Sequence, residues 1–193
     1  MIFPLVLDRV CLRPFEETDK ESLISLSGDP DVSWGTRPIT YPDSPEKAPL
    51  WLQDHIAMTN RGETLSLAIV SRADSVLVGS VILFFEPHHE RAEIGCWIGK
   101  PHWSKGYGTE ACQAVIDYAF KKLNLNKICA YCLARNTPSI KLIQKLGMKW
   151  EGCLRKHLKV RGIFEDLLVY GLLAEEIAGK KGYIDEKHST LPF

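Results

Sequence analysis

The residues from Ile98 to Thr109 read Ile-Gly-Lys-Pro-His-Trp-Ser-Lys-Gly-Tyr-Gly-Thr, and they constrain this chain more than any other stretch. They stand between a strand-like run, Ala92–Ile98, and the strongest helical pattern in the sequence. From Thr109 to Leu123, the residues Cys112, Val115, Ile116, Ala119, Phe120 and Leu123 recur at helical spacing and form one apolar stripe. Gly106 and Gly108 let the backbone approach an anion, because no Cβ stands in the way. The first N–H groups of the following helix face the same place, and the helix dipole favours negative charge there. Lys105 adds a full positive charge, and the Thr109 hydroxyl adds a donor. Lys105, Gly106, Tyr107, Gly108 and Thr109 therefore read as a seat for a pyrophosphate. A plain glycine turn joining strand to helix would carry the same bare pattern.

The rest of the chain supplies the frame. Leu5–Pro14 alternates apolar and polar residues like one strand, and Thr18 with Glu21 has the form of a capping box for a helix that stops at Gly28. The stretch Asp29–Pro49 holds prolines at 30, 38, 42, 45 and 49 and is expected as an ordered loop. It should lead into a second helix around Leu50–Asn60, ended by Gly62. A loop of that length inside a domain is usually functional, so it is the candidate wall of a substrate site. Strands are expected at Leu65–Val70, Val76–Phe85 and Ala92–Ile98, joined by short turns and therefore antiparallel. Beyond the long helix come a strand at Lys127–Leu133 and a helix opened by Asn136-Thr137-Pro138 and closed by Gly147. Two last strands, Met148–Val160 and Phe164–Leu173, should pair across Arg161–Gly162. The expected architecture is α+β, a mixed sheet with helices on both faces. It would form one domain over residues 1–177, with a loosely ordered tail over 178–193.

Charge narrows the partners. The chain carries 24 basic and 24 acidic residues. Proteins that grip duplex nucleic acid or an anionic membrane usually show a basic surplus, so neither partner is expected, although a local patch stays open. No apolar run reaches the length of a membrane span, and the start of the chain lacks the form of a signal peptide, which points to the cytoplasm. Cys129 and Cys132 form a C-x-x-C inside a strand, where an offset of three sends side chains to opposite faces. With no second pair at finger spacing, they read as buried thiols, and no metal is expected.

Two identities compete for the anion seat. Gly106-Tyr-Gly108-Thr-Glu-Ala111 fits the dinucleotide fingerprint G-x-G-x-x-A. That fold places the motif after the first strand of a βαβ unit, with an acid about 20 residues on. Here antiparallel strands precede it, and the position after Leu125 offers Asn126 and Lys127.

The second identity is a resemblance. Ala92-Glu-Ile-Gly-Cys-Trp-Ile98 followed by Trp103-Ser-Lys-Gly-Tyr-Gly108 resembles the acyl-CoA signature of the GNAT superfamily, Q/R-x-x-G-x-G/A. Together with Asn136-Thr-Pro-Ser139 and Lys145-Leu-Gly-Met148-Lys-Trp-Glu-Gly152, it is similar to the branch of ribosomal-protein alanine and serine N-acetyltransferases. The resemblance runs over roughly residues 5–177. It departs at Trp103, where most of the superfamily has Arg or Gln, and at Ile143, where many members carry a tyrosine as general acid.

What the resemblance implies is an acetyl-CoA-dependent N-acetyltransferase with a mostly antiparallel sheet whose central strands splay. Acetyl-CoA is then the co-substrate, and the acceptor is a primary amine of a protein N-terminus or small molecule, attacking directly in a ternary complex. The Ile98 N–H would meet the thioester carbonyl, Asn136 the pantetheine arm, Glu93 the acceptor amine as base, and either Ser139 or solvent the departing thiolate. The residues alone leave alternatives open. Glu93 equally suits a solvent-facing strand position, and Asn136 a helix cap. Trp97 and Trp103 suit packing, and Asp166 a structural hydrogen bond or an amine contact. A non-catalytic acyl-CoA sensor or assembly subunit, and a homodimer, also fit the sequence.

Overall fold

The computed structural model describes residues 3–35, 42 and 44–178, so the middle of the proline-rich stretch and nearly all of the expected tail lie outside the described residues. The elements run β1 (Leu5–Val6), β2 (Val10–Pro14), α1 (Lys20–Leu26), α2 (Pro30–Gly35), α3 (Ala48–Asn60), β3 (Thr64–Ser71), β4 (Leu77–Glu86), β5 (Arg91–Ile98), α4 (Tyr107–Lys121), β6 (Lys127–Leu133), α5 (Thr137–Lys145), β7 (Lys149–Val160), β8 (Ile163–Leu173) and α6 (Glu175–Ala178). The strands form one 8-stranded sheet in the order β1-β2-β3-β4-β5-β6-β8-β7. Every neighbouring pair is antiparallel except β5–β6.

Alternation along the strands sorts two cores onto the two faces. Ala68, Ile82 and Trp97 meet Leu23, Trp51 and Leu52 from α1 and α3. Leu67, Val81, Leu83 and Ile94 meet Val115, Ile116 and Ala119 from α4 and Ile143 from α5. Because both faces are covered, β3 is buried along nearly its whole length. Burying a side chain such as Ile116, which has 0% exposure, contributes about 1.5–3 kcal/mol.

Three local expectations are corrected. Leu5–Pro14 is a hairpin of two strands, because the chain reverses at 7–9 and pairs Leu5 with Leu12. The capping box lies two residues earlier than the Thr18/Glu21 pattern. Glu16 and Asp19 form the capping box of a 3₁₀ turn at Glu17–Asp19, and Arg13 grips both Asp19 oxygens at 2.7 Å. That bidentate pair, from the neighbouring strand, decides which acid caps. The proline-rich stretch also contains α2, with Pro30 at its first helical position.

Candidate active site

The site follows from how β5 is paired. Against β4 it pairs from Arg91 to Ile98, but against β6 only at Arg91, Ala92 and Glu93, opposite Lys127, Ile128 and Cys129. Beyond Glu93 the two central strands diverge, and α4 and α5 begin on either side of the gap. Residues of an antiparallel ladder direct their N–H and C=O alternately to either neighbour. Gly99 N donates to Val78 O at 2.8 Å, so the Ile98 N–H, one residue earlier, is directed away from β4 toward the gap. Its carbonyl takes the indole N–H of Trp103 at 2.6 Å. Gly79 stands opposite Ile98. A Cβ there would lie 2.2 Å from the Trp97 carbonyl oxygen, so only glycine lets β4 lie this close.

A cleft of about 580 Å³ occupies the gap, lined among others by Ile98, Trp103, Gly106, Tyr107, Gly108, Thr109, Asn136 and Ser139. The structure therefore gathers most of the residues singled out from sequence. Gly106 caps α4 with a left-handed φ of 80°, and a Cβ there would meet the Arg9 guanidinium at 2.6 Å. The first N–H groups of α4, on Tyr107, Gly108 and Thr109, have no carbonyl one turn earlier to bind. They remain donors for an anion in the cleft.

Gly108 lines the cleft and also meets the neighbouring strand. Its missing Cβ would face Ile98 Cγ1 at 3.4 Å and Cys96 Sγ at 3.7 Å, so it sets how closely α4 lies on β5. Lys105 is exposed and lines no part of the cleft; its carbonyl accepts from Arg9 Nη1 at 3.2 Å. Arg9 also binds Glu110 through its amide, 2.8 Å, and Nε, 2.7 Å. Burial alone would raise the Glu110 carboxyl, but the hydrogen bonds and charge of Arg9 outweigh it and hold the pKa below the ordinary range. This ionised brace fixes the loop to the β1–β2 turn.

At the other wall, Asn136 Oδ1 accepts from Ser139 N at 3.1 Å, so its oxygen serves as the α5 cap. Ser139 is half-buried and lines both the cleft and a smaller cavity of about 60 Å³ behind it. Cys96, Cys112 and Cys132 line that cavity. Burial pushes the Cys132 thiol up to about 11. The Cys112 thiol is raised first by its hydrogen bond with Cys96 and then by burial. Cys129 and Cys132 are both buried free thiols.

Other side chains fall differently. Glu93 is half-buried on the face of Trp97, opposite Phe84, and is not among the residues lining the cleft. It stands five residues before Ile98, about 16 Å along a strand. Trp97 is a core residue, 3% exposed, whereas Trp103 is 42% exposed and forms cleft wall rather than packing. His102 lines the cleft; burial first and Lys105 second lower its pKa, against a smaller pull from Asp74. Asp166 makes a structural bond, accepting from Lys156 N at 2.7 Å.

Sequence reading missed the clasp over the cleft mouth. Arg135 lies 3.9 Å over the Trp34 ring and donates to the Trp34 carbonyl at 2.6 Å and to Glu165 at 2.8 Å. Arg161 approaches the same ring at 5.7 Å and donates to Ser33 at 2.7 Å. These contacts tie α2 to β8 and the end of β6.

A model of the acetyltransferase (GNAT) domain matches residues 9–149. An uncharacterized N-acetyltransferase, p20, of Bacillus licheniformis is 34% identical over 176 residues, covering 91% of this chain and 98% of that protein. The ribosomal-protein-serine acetyltransferase of Escherichia coli K12 is 25% identical over 148 residues, covering 74% of this chain and 81% of that protein. A solved ribosomal L7/L12 alpha-N-protein acetyltransferase in complex with coenzyme A superposes with a TM-score of 0.79 over 88% of this chain and 97% of that one; at 19% identity the likeness is one of fold.

Proposed function

Since the chain belongs to the GNAT acetyltransferase family as an acetyl-CoA-dependent N-acetyltransferase, we propose that the gap between β5 and β6 is where a primary amine attacks the thioester directly, in a ternary complex. The observation that carries this reading is the pairing of β5. Beyond Glu93 it keeps β4 and loses β6, which leaves the Ile98 N–H directed into a cleft that also receives the N-terminus of α4. The N–H groups of Tyr107, Gly108 and Thr109 suit the pyrophosphate. Asn136 is assigned to the α5 cap first.

In the reaction, the amine nitrogen bonds the thioester carbon, and the carbonyl oxygen gains charge that the Ile98 N–H stabilises. Collapse breaks the C–S bond, and the thiolate takes a proton from solvent relayed through the Ser139 hydroxyl, which receives one proton as it passes its own on. The proton lost by the amine goes to water. An α-amine with a pKa near 7.7–8.0 is already partly neutral at neutral pH, whereas a lysine amine near 10.4 would need a strong base. Glu93 is outside the cleft lining, Asp31 is paired to Lys100, and burial weakens His102 as a base, so the geometry favours a protein N-terminus as acceptor over a lysine-like amine. The test is release of free thiol from acetyl-CoA with a panel of amines. Binding of acetyl-CoA without thiol release for any amine would overturn the proposal.

A further inference from the structure

The chain is neutral overall, yet its charge is segregated at the β7–β8 hairpin. From Cys153 to Phe164 there are Arg155, Lys156, His157, Lys159 and Arg161 and no acid. All five are exposed. This is not the outcome of a regular hairpin. Leu154 pairs with Leu167, but Leu158 pairs with Glu165, so Arg155, Lys156 and His157 bulge out of β7. Lys156 holds a left-handed φ of 50°, unusual for a lysine. The Asp166 carboxylate holds the bulge by accepting the Lys156 N–H at 2.7 Å. The side chains of Arg155, Lys156 and His157 form no ion pair with a described residue. Strained backbone, held by a dedicated carboxylate, thus pushes these three side chains, two of them cations, into solvent.

The patch adjoins the cleft. Glu165, paired with Leu158, binds the cleft residue Arg135, and Arg161 binds Ser33 on α2. Exposed Leu154, Ile163 and Phe164 lie among the cations. An acceptor polypeptide whose amino group reached the cleft has this hairpin beside it, within reach of its next residues at about 3.3 Å for each extended residue. Resting on the function proposed above, we propose that the hairpin docks an acidic segment of the acceptor polypeptide just after its N-terminus, and so selects acceptors by charge. A nucleic acid fits less well, since the chain as a whole carries no basic surplus, 24 basic against 24 acidic residues.

The experiment uses fluorescent peptides that share their first two residues and carry glutamate, serine or lysine at the next four. Their binding is read by anisotropy in the presence of coenzyme A. The acidic peptide should bind about tenfold more tightly than the serine peptide at low salt, the combined effect of several surface ion pairs. The gap should close near 0.5 M salt as screening shortens. The double variant Arg155→Glu, Lys159→Glu should erase the gap while leaving coenzyme A affinity unchanged. Equal binding of acidic and neutral peptides, or a preference that survives charge reversal, overturns the inference. So does an RNA oligonucleotide that binds the patch where the acidic peptide does not. Thiol release with small amines is read separately. Turnover without charge preference fails only the docking surface, and preference without turnover fails only the transfer reaction.

Discussion

The two edges of β5 belong to one strand and meet opposite fates. Toward β4 it is paired from end to end, and Gly79 lets the backbones close at the tip. Toward β6 pairing stops at Glu93. The closed edge joins hairpin neighbours, whose register a short turn imposes. The open edge joins parallel neighbours linked through α4, which sets their spacing at one end only. Backbone polar groups inside a domain must find partners. A strand edge that opens in the middle of a sheet therefore marks a place built to be filled by water or ligand. The closed edge contributes stability, and the open one is where we place the transfer reaction.

That contrast is most easily broken from the closed side. At Gly79 the added Cβ would meet backbone, at 2.2 Å from the Trp97 oxygen, which cannot swing aside. Gly79→Val should cost about 3 kcal/mol or more, beyond ordinary overpacking. Gly152→Ala, on β7 with nothing within 4 Å, should stay within about 1 kcal/mol, the strand cost of either residue being small. Urea midpoints of the two variants measure the difference. Equal losses would mean that β4 and β5 are not held by their close approach.

The open side should answer in affinity instead. Gly108→Val puts its methyl groups toward Ile98 and Cys96 on the cleft floor, lifting the start of α4 from β5. Acetyl-CoA affinity should fall at least tenfold, about 1.4 kcal/mol, with a smaller loss of stability. Calorimetry on the folded variant decides it, and unchanged affinity would remove this loop from the path of the co-substrate.

Asn136 sits between the two regimes. Its oxygen caps α5 at 3.1 Å, so Asn136→Ala should lower stability by about 1 kcal/mol. Thermal unfolding and acetyl-CoA titration on the same variant separate cap from ligand contact. A loss confined to affinity would reassign the residue to the pantetheine arm.

The legible parts of this molecule are the local ones. The stripe of α4, the cap and proline of α5, and the Arg161–Gly162 turn are written in residues a few positions apart. The family signature lay in the same kind of short pattern. What could not be read depends on distant partners. Arg9 and Glu110 are 101 residues apart, as are Arg135 and Trp34, and nothing in their spacing announces either contact. The capping residue of the first helix was settled by Arg13, and the close packing of Gly108 on Ile98 and Cys96 belongs to another strand. The bulge at Arg155–His157 was invisible for the same reason. A regular alternation of residues cannot show that two strands carry unequal lengths between the same partners.

Glu93 carries the smallest expected effect and the sharpest test of where the open edge begins. From sequence it stands on the strand leading to the anion loop, the natural place for a base. In the structure it is the last residue of β5 still paired to β6, opposite Cys129. Its side chain shares the face of Phe84 and Trp97, and the cleft begins beyond it. A base must come within hydrogen-bond reach of the proton, or within one water of it, to contribute its usual 10²-fold or more. About 16 Å of strand separates Glu93 from Ile98, so Glu93→Gln should lower turnover less than about tenfold. With an N-terminal peptide as acceptor, the pH–rate curves of both proteins should rise together as the α-amine, with a pKa near 7.7–8.0, becomes neutral. A fall of 10²-fold that higher pH partly restores would show the reverse. A water chain would then reach from the paired part of β5 into its unpaired part, and the boundary drawn at Glu93 would be a boundary of backbone pairing only.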